Sequence, residues 1–146
     1  MAQLYRRIFA AIDGSSTQDA VIERALALAS ENGAELLFGH VVDTLPSDVG
    51  GTNYQLLAAE EESILRERLA PVFERAEADA NIPSCDLRVG VGRVGDVLVD
   101  ELIKESEPDL VICGERGYSD FKYAFVGSVS KHLIREVRCD VLVVKR

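Results

Sequence analysis

The fold class follows from residues 8–42, which read IFAAIDGSSTQDAVIERALALASENGAELLFGHVV. Residues 8–12 are continuously apolar and predict a buried strand. Ser16-Thr-Gln-Asp19 has the form of a capping box that opens a helix, and Asn32-Gly33 is typical of a helix end. Residues 36–42 predict a second apolar strand. A buried strand, a helix and another buried strand in this order form the unit from which parallel sheets are built.

The same alternation continues to the end of the chain. Long amphipathic runs predict a helix over residues 54–80, kinked or split by Pro71, and further helices around residues 97–103 and over residues 129–137. Short apolar runs predict the remaining three strands at residues 87–91, 110–113 and 141–144. We therefore predict an α/β fold: a single domain, residues 1–146, with an open five-stranded parallel sheet and helices on both faces.

Composition narrows the possible functions. The chain has 16 Lys and Arg against 25 Asp and Glu, a formal charge of −9 that repels nucleic-acid phosphates. Any phosphate site must therefore be built locally, from backbone N–H groups, a helix N-terminus or a metal ion. The three cysteines are odd in number without C-x-x-C spacing, which favours a reducing compartment and a role as small buried hydrophobes.

The N-terminal apolar run is interrupted at Asp13, so it is too short for a signal peptide or a membrane span. We expect a soluble, cytoplasmic protein. In open parallel sheets, ligands bind beyond the carboxyl ends of the strands, where the strand order reverses. The segments that follow the predicted strands are therefore the place to look for chemistry.

A glycine motif follows the fourth strand. Gly114 and Gly117 stand three residues apart, and Gly127-Ser128 comes nine residues later, where a helix is expected to begin. Such glycines allow positive φ and close approach of backbone to a ligand, and a helix N-terminus favours phosphate. A glycine turn followed by a serine N-cap explains the same residues equally well. The spacing matches neither a Walker A P-loop nor the G-x-G-x-x-G dinucleotide fingerprint.

Asp13 ends the first strand, in Ala-Ala-Ile-Asp-Gly-Ser. Its carboxylate can accept hydrogen bonds from ribose hydroxyls or from an adenine amino group; the alternative is a turn-forming Asp-Gly pair. Because the first and fourth strands are expected to flank the strand reversal, we predict that Asp13 and the glycine motif share one cleft.

In these features the chain resembles the universal stress protein family, specifically its ATP-binding subgroup, over nearly its full length. The family's adenine-nucleotide motif, G-x2-G-x9-G-[S/T], is matched without a gap. The other matching segments are Asp-Gly-Ser at 13–15, Gly-His-Val-Val at 39–42, Pro-Asp-Leu-Val-Ile at 108–112, Gly-Ser-Val-Ser at 127–130 and Cys-Asp-Val-Leu-Val-Val at 139–144. The resemblance implies a Rossmann-like fold of the adenine nucleotide alpha-hydrolase type.

The resemblance also implies a ligand, an adenine nucleotide (ATP or AMP, with or without Mg²⁺). Asp13 would contact ribose or base and Val41 would line the adenine pocket. The residues implied for ribose and phosphates are Gly114, Arg116, Gly117, Gly127, Ser128, Val129 and Ser130. Ala11 stands where many members have proline, which leaves the adenine wall looser. Arg116 and Lys122 are the loop cations expected nearest the phosphates.

No nucleophile–base pair is evident in the sequence. His40 is interpreted as a satisfied core or rim histidine and His132 as an exposed helix residue. We therefore expect a regulatory or stress-response protein that binds a nucleotide with little or no turnover. The alternatives are a nucleotide-free dimeric interaction module and a slow ATPase or adenylate-handling enzyme. By resemblance, the apolar strand from Val141 to Val144 lies at a sheet edge and joins two copies in a homodimer.

Overall fold

The computed structural model describes residues 3–44, 53–115 and 128–145, and in these ranges strand and helix alternate. The elements in chain order are β1 (Arg7–Ala11), α1 (Gln18–Asn32), β2 (Glu35–Asp43), α2 (Tyr54–Arg68), α3 (Ala70–Ala78), β3 (Cys85–Gly92), α4 (Val94–Val97), a π-helical segment (Leu98–Ile103), α5 (Lys104–Ser106), β4 (Leu110–Gly114), α6 (Ser128–Glu136) and β5 (Asp140–Val144).

The five strands form one parallel sheet in the order β3-β2-β1-β4-β5. The predicted α/β class is therefore confirmed. β1 lies at the centre, where four of its five residues are buried, and β3 and β5 lie at the two edges. The edge position expected for the last strand is also confirmed.

Side chains of β1 alternate between two apolar layers, as the two-residue period of a strand requires. Ile8 and Ala10 belong to the layer formed with α1, α2 and α3. Phe9 and Ala11 belong to the layer formed with α4, the π-helical segment and α6. Helices thus cover both faces of the sheet, as the continuously apolar strands predicted.

Proline splits the long helix expected over residues 54–80. α2 ends before Leu69, and Pro71 lies in the first turn of α3, where its missing N–H removes no helical hydrogen bond. The Leu69 carbonyl accepts from the N–H groups of Val72 and Phe73 and so opens the second helix. The split confirms the prediction that was based on Pro71.

Two local expectations are wrong. The capping box at Ser16 does not form: Ser16 is exposed, α1 begins at Gln18, and its N-cap Thr17 makes no side-chain capping bond. The Ser15 hydroxyl competes with the helix N–H groups for the Thr17 side chain. Thr17 is buried, and its hydroxyl lies 3.0 Å from that of Ser15. His132 is half-buried rather than exposed, because its ring packs against Gly95 of α4.

The three cysteines are free thiols; Cys113 is buried, and Cys85 and Cys139 are half-buried. Burial, with a smaller contribution from the charge of Asp86, raises the pKa of Cys85 to about 12. Burial, followed by the charge of Asp13, raises the pKa of Cys113 to about 12. Both groups stay protonated at neutral pH, which suits the expected role of small apolar side chains.

A close contact between β1 and β2 depends on a glycine. Gly39 of β2 pairs with Ala11 of β1, and a Cβ at Gly39 would overlap the ring of Phe9. Phe9 is fully buried and its neighbours belong to the apolar layer under α4 and α6. The ring therefore occupies the volume that any larger residue at Gly39 would need.

We predict that Gly39→Ala lowers the free energy of unfolding by about 1–3 kcal/mol, because the added methyl overpacks the Phe9 ring. The melting temperature should fall by about 3–10 °C in calorimetry. In a Phe9→Leu background, where the ring is gone, the same substitution should cost less than it does in the wild type. Equal costs in the two backgrounds would contradict the proposed clash.

Candidate functional site

The strand order reverses between β1 and β4. β1 pairs with β2 on one side and with β4 on the other, with Ala10 opposite Ile112. Continuing this register places Ile12 beside Gly114, so the segments that leave the two strands start next to each other. This is the position at which open parallel sheets bind ligands, and it confirms that the first and fourth strands flank the reversal.

Asp13 lies in the turn that leaves β1. Its Oδ1 accepts a hydrogen bond from the Ser15 N–H at 2.8 Å, and Gly14 between them has a φ of 74°. The Gly14 N–H donates to the side-chain oxygen of Gln18, which ties the turn to the start of α1. Asp13 therefore has the turn-forming role that was the alternative for it, and the turn holds its carboxylate at the strand reversal.

Burial is the main cause of the raised pKa of the Cys113 thiol, and the charge of Asp13 is the second cause. Ala11 and Cys113 both belong to the apolar layer under α4 and α6. Asp13, two residues after Ala11, is thus beside the same layer, at the carboxyl end of β4. The structure thus places Asp13 near the carboxyl end of β4, while the cleft shared with the glycine motif stays a prediction.

Val41 and Ala11 lie on this side of the sheet and form its floor. Val41 is 1% exposed and Ala11 is 7% exposed, and both pack in the layer that includes Leu98 and Leu133. A base could reach Val41 only if side chains packed against it moved. The two residues implied by the resemblance to line an adenine pocket are therefore on the expected face but covered.

Gly114 does not use the positive φ that glycine allows. It is the last residue of β4, half-buried, and pairs with Val144, whereas the described glycines with positive φ are Gly14, Gly33 and Gly92. The next N–H group, that of Glu115, donates to the Val144 carbonyl at 2.8 Å. This N–H completes the sheet and is therefore not available to bind a phosphate, whereas the contact of Gly114 with ribose or phosphate stays a prediction.

The middle of the glycine motif lies outside the described residues, so the structure does not place Arg116, Gly117, Lys122 or Gly127. The motif is described again at Ser128, where α6 begins as predicted. Within the first turn of α6, Val129 is half-buried against the apolar layer and Ser130 is 6% exposed. The N-terminal N–H groups of this helix carry the partial positive charge that favours anions.

Sequence reasoning missed the mutual support of the β1–α1 turn. The Asp-Gly pair did predict a turn, but the hydroxyl groups that support it were not singled out. The Ser15 hydroxyl lies 3.0 Å from that of Thr17 and accepts a long hydrogen bond from the Thr17 N–H. The turn is therefore fixed by its own polar side chains.

A cavity of about 720 Å³ lies at the opposite end of the strands, by the amino ends of β4 and β5. Its charged lining residues are Asp100, Lys104, Glu107, Asp109, Glu136 and Arg138. Four carboxylates against two cations repel a nucleotide, so this cavity is a poor candidate for a phosphate ligand.

Two further findings concern the described residues as a set. They bring together no group of three or more His, Cys, Asp and Glu side chains that could hold a metal ion. Among their helices, none is both long and apolar enough to cross a bilayer.

Comparison with known proteins identifies the family. The family model described as "Universal stress protein family" matches residues 4–145. A putative universal stress protein of Staphylococcus aureus (strain USA300) is 28% identical over 144 residues, which cover 97% of this chain and 84% of the relative.

Two solved structures extend this finding. Universal stress protein UspA from Lactobacillus plantarum is similar with a TM-score of 0.73 and 24% identity, over 96% of this chain and 97% of that one. A universal stress protein solved in complex with cAMP has a TM-score of 0.64 and 27% identity, over 96% of each chain. The chain belongs to the universal stress protein family.

Proposed function

We propose that this protein binds an adenine nucleotide, ATP or AMP, at the carboxyl ends of β1 and β4, and that it has a regulatory or stress-response role. The observation that carries the proposal is the position of Asp13, a carboxylate held at the strand reversal beside the end of β4. Membership of the family and the similar structure with bound cAMP support the choice of an adenine ligand.

The chemistry of the cleft suits a nucleoside better than a bare phosphate. The Asp13 carboxylate can accept hydrogen bonds from ribose hydroxyls while it keeps its bond to Ser15, because a carboxylate has about four acceptor positions. The apolar floor at Ala11 and Val41 suits the face of a base once it is uncovered. The net charge of −9 repels phosphate over long range, whereas the N-terminus of α6 attracts it locally.

Two alternatives remain distinct from this proposal. A nucleotide-free interaction module would use the same fold with no ligand in the cleft, and a slow enzyme would turn the nucleotide over. The intact G-x2-G-x9-G-S spacing favours the binding protein over the first alternative. The absence of a Walker A lysine from the sequence favours it over the second.

We predict that Asp13→Asn weakens AMP and ATP binding about 10- to 100-fold in calorimetry, the loss expected for hydrogen bonds to a charged group. Asparagine keeps an oxygen that can accept from the Ser15 N–H, so the turn should survive and the loss should report the charge. Glu31→Gln, an equal charge change at the exposed far end of α1, should leave the affinity unchanged. An Asp13→Asn protein that binds like the wild type would exclude this site.

We further predict that the bound nucleotide is held rather than turned over. Fast phosphoryl transfer needs neutralisation of charge on the γ-phosphate, and the sequence has no Walker A lysine to supply it. With ATP and Mg²⁺ or Mn²⁺, phosphate release should stay below about 0.01 per second, compared with about 10 per second for a typical enzyme. Turnover near one per second that is lost in Asp13→Ala or Ser128→Ala would make the protein an ATPase.

We also propose that two copies pair through β5, which is an edge strand of the described sheet. The Glu115 N–H donates to the Val144 carbonyl, so the polar backbone groups of Val144 face β4. Because these groups alternate along a strand, those of Val141 and Val143 face the edge. Residues 141–143 are apolar and half-buried, which favours pairing with a second chain.

We predict a dimer at micromolar concentration by sedimentation and a monomer for Val143→Pro, because proline removes an N–H from the pairing edge. The matched control is Val89→Pro on β3, a half-buried valine whose backbone faces away from β2 at the opposite edge. This control should stay dimeric. A monomeric wild type, or equal dissociation of both folded variants, would refute pairing through β5.

A further inference from the structure

His40 of β2 lies on the side of the sheet opposite the proposed nucleotide cleft. Its neighbour Val41 packs in the layer under α4 and α6, whereas Phe38, two residues earlier, packs in the layer under α1, α2 and α3. Alternation along the strand puts His40 on the same side as Phe38. A ligand that packs on Val41 would therefore lie on the opposite face of the sheet from His40.

His40 is nevertheless bonded to the residue that precedes Asp13. Its Nδ1 lies 2.9 Å from the carbonyl oxygen of Ile12. A carbonyl oxygen can only accept, so Nδ1 carries the proton in this contact. The other ring nitrogen, Nε2, lies 3.9 Å from Oε1 of Glu61 on α2, which is too long for a hydrogen bond. The imidazole side chain is 15% exposed.

Two consecutive residues of β2 form hydrogen bonds with the N–H and the carbonyl of Ile12. Its N–H donates to the Gly39 carbonyl at 2.9 Å, and its carbonyl accepts from His40. The Ile12 carbonyl belongs to the same planar peptide as the N–H of Asp13. The bond from His40 therefore fixes the peptide plane from which Asp13 projects.

We propose that His40 is a positioning residue of the nucleotide site, which orients Asp13 through the Nδ1–H bond to Ile12; this inference rests on the proposed function. His40 then restrains the backbone that leads into Asp13, and the Ser15 N–H restrains its carboxylate. Loss of the backbone restraint lowers the fraction of molecules with Asp13 in the binding orientation. The apparent affinity falls by the same factor.

The test compares two amides at position 40. In His40→Asn the side-chain nitrogen falls near the position of Nδ1 and can still donate to Ile12, whereas in His40→Gln it falls near Nε2, toward Glu61. With AMP as the probe in calorimetry, the asparagine variant should bind within about twofold of the wild type and the glutamine variant about five- to tenfold more weakly. A role in filling space predicts the reverse, because glutamine is closer to histidine in size.

Glu61→Gln is the matched control, because it changes the more distant contact and should leave the AMP affinity within about twofold of the wild type. A second readout uses the protein without nucleotide: amide hydrogen exchange at Asp13 and Gly14 should be faster in His40→Gln and unchanged in His40→Asn. If His40→Gln does not fold, the AMP affinity of His40→Asn is the deciding measurement. A fivefold loss of that affinity would overturn the proposal.

The two proposals fail in distinguishable ways. If wild-type protein does not bind AMP or ATP, the proposed function is wrong, and the exchange experiment still tests whether His40 restrains the turn. If the wild type binds AMP and both position-40 variants bind it equally well, the role of His40 is refuted while the nucleotide site stands.

Discussion

The pairing of β1 with strands on both sides is the constraint on which the rest of the structure depends. The chain runs from β1 to β2 and β3 on one side and returns to β4 and β5 on the other. The first strand is therefore central and buried, and its carboxyl end is where the strand order reverses. Asp13 lies at that end because the apolar run of β1 is immediately followed by a polar turn.

The two faces of the sheet have separate roles in this account. Ala11, Val41 and Cys113 lie under α4 and α6 and form the floor beside Asp13. His40, one residue before Val41, lies on the opposite face and holds the Ile12 carbonyl. Two adjacent residues of β2 thus have different roles: Val41 forms part of the floor of the cleft, and His40 bonds to the backbone before Asp13. In the proposed site, contact with the ligand and support for Asp13 would come from neighbouring residues because side chains alternate along a strand.

Sequence patterns predicted the features that depend on local chemistry. The parallel α/β class followed from alternating apolar and amphipathic runs, and the helix break followed from Pro71, whose effect is confined to its own turn. Features that depend on competition or on distant partners were not predictable. Three adjacent hydroxyls could cap α1, and only packing decides that Thr17 is buried instead. The bond from Glu115 to Val144 joins segments far apart in sequence.

For the candidate site, the sequence predicted Asp13 and the start of α6 but not how the glycine motif begins. The described part of the motif shows Gly114 as a strand residue. The π-helical segment Leu98–Ile103 was also missed, since six residues do not distinguish its wider turn from an α-helix. The measurement that tests the central claim most directly is an amide chemical-shift map of the protein titrated with AMP. The account predicts shifts at residues 12–15, 114–115 and 128–130; shifts confined to the amino ends of the strands, or none at millimolar AMP, would contradict it.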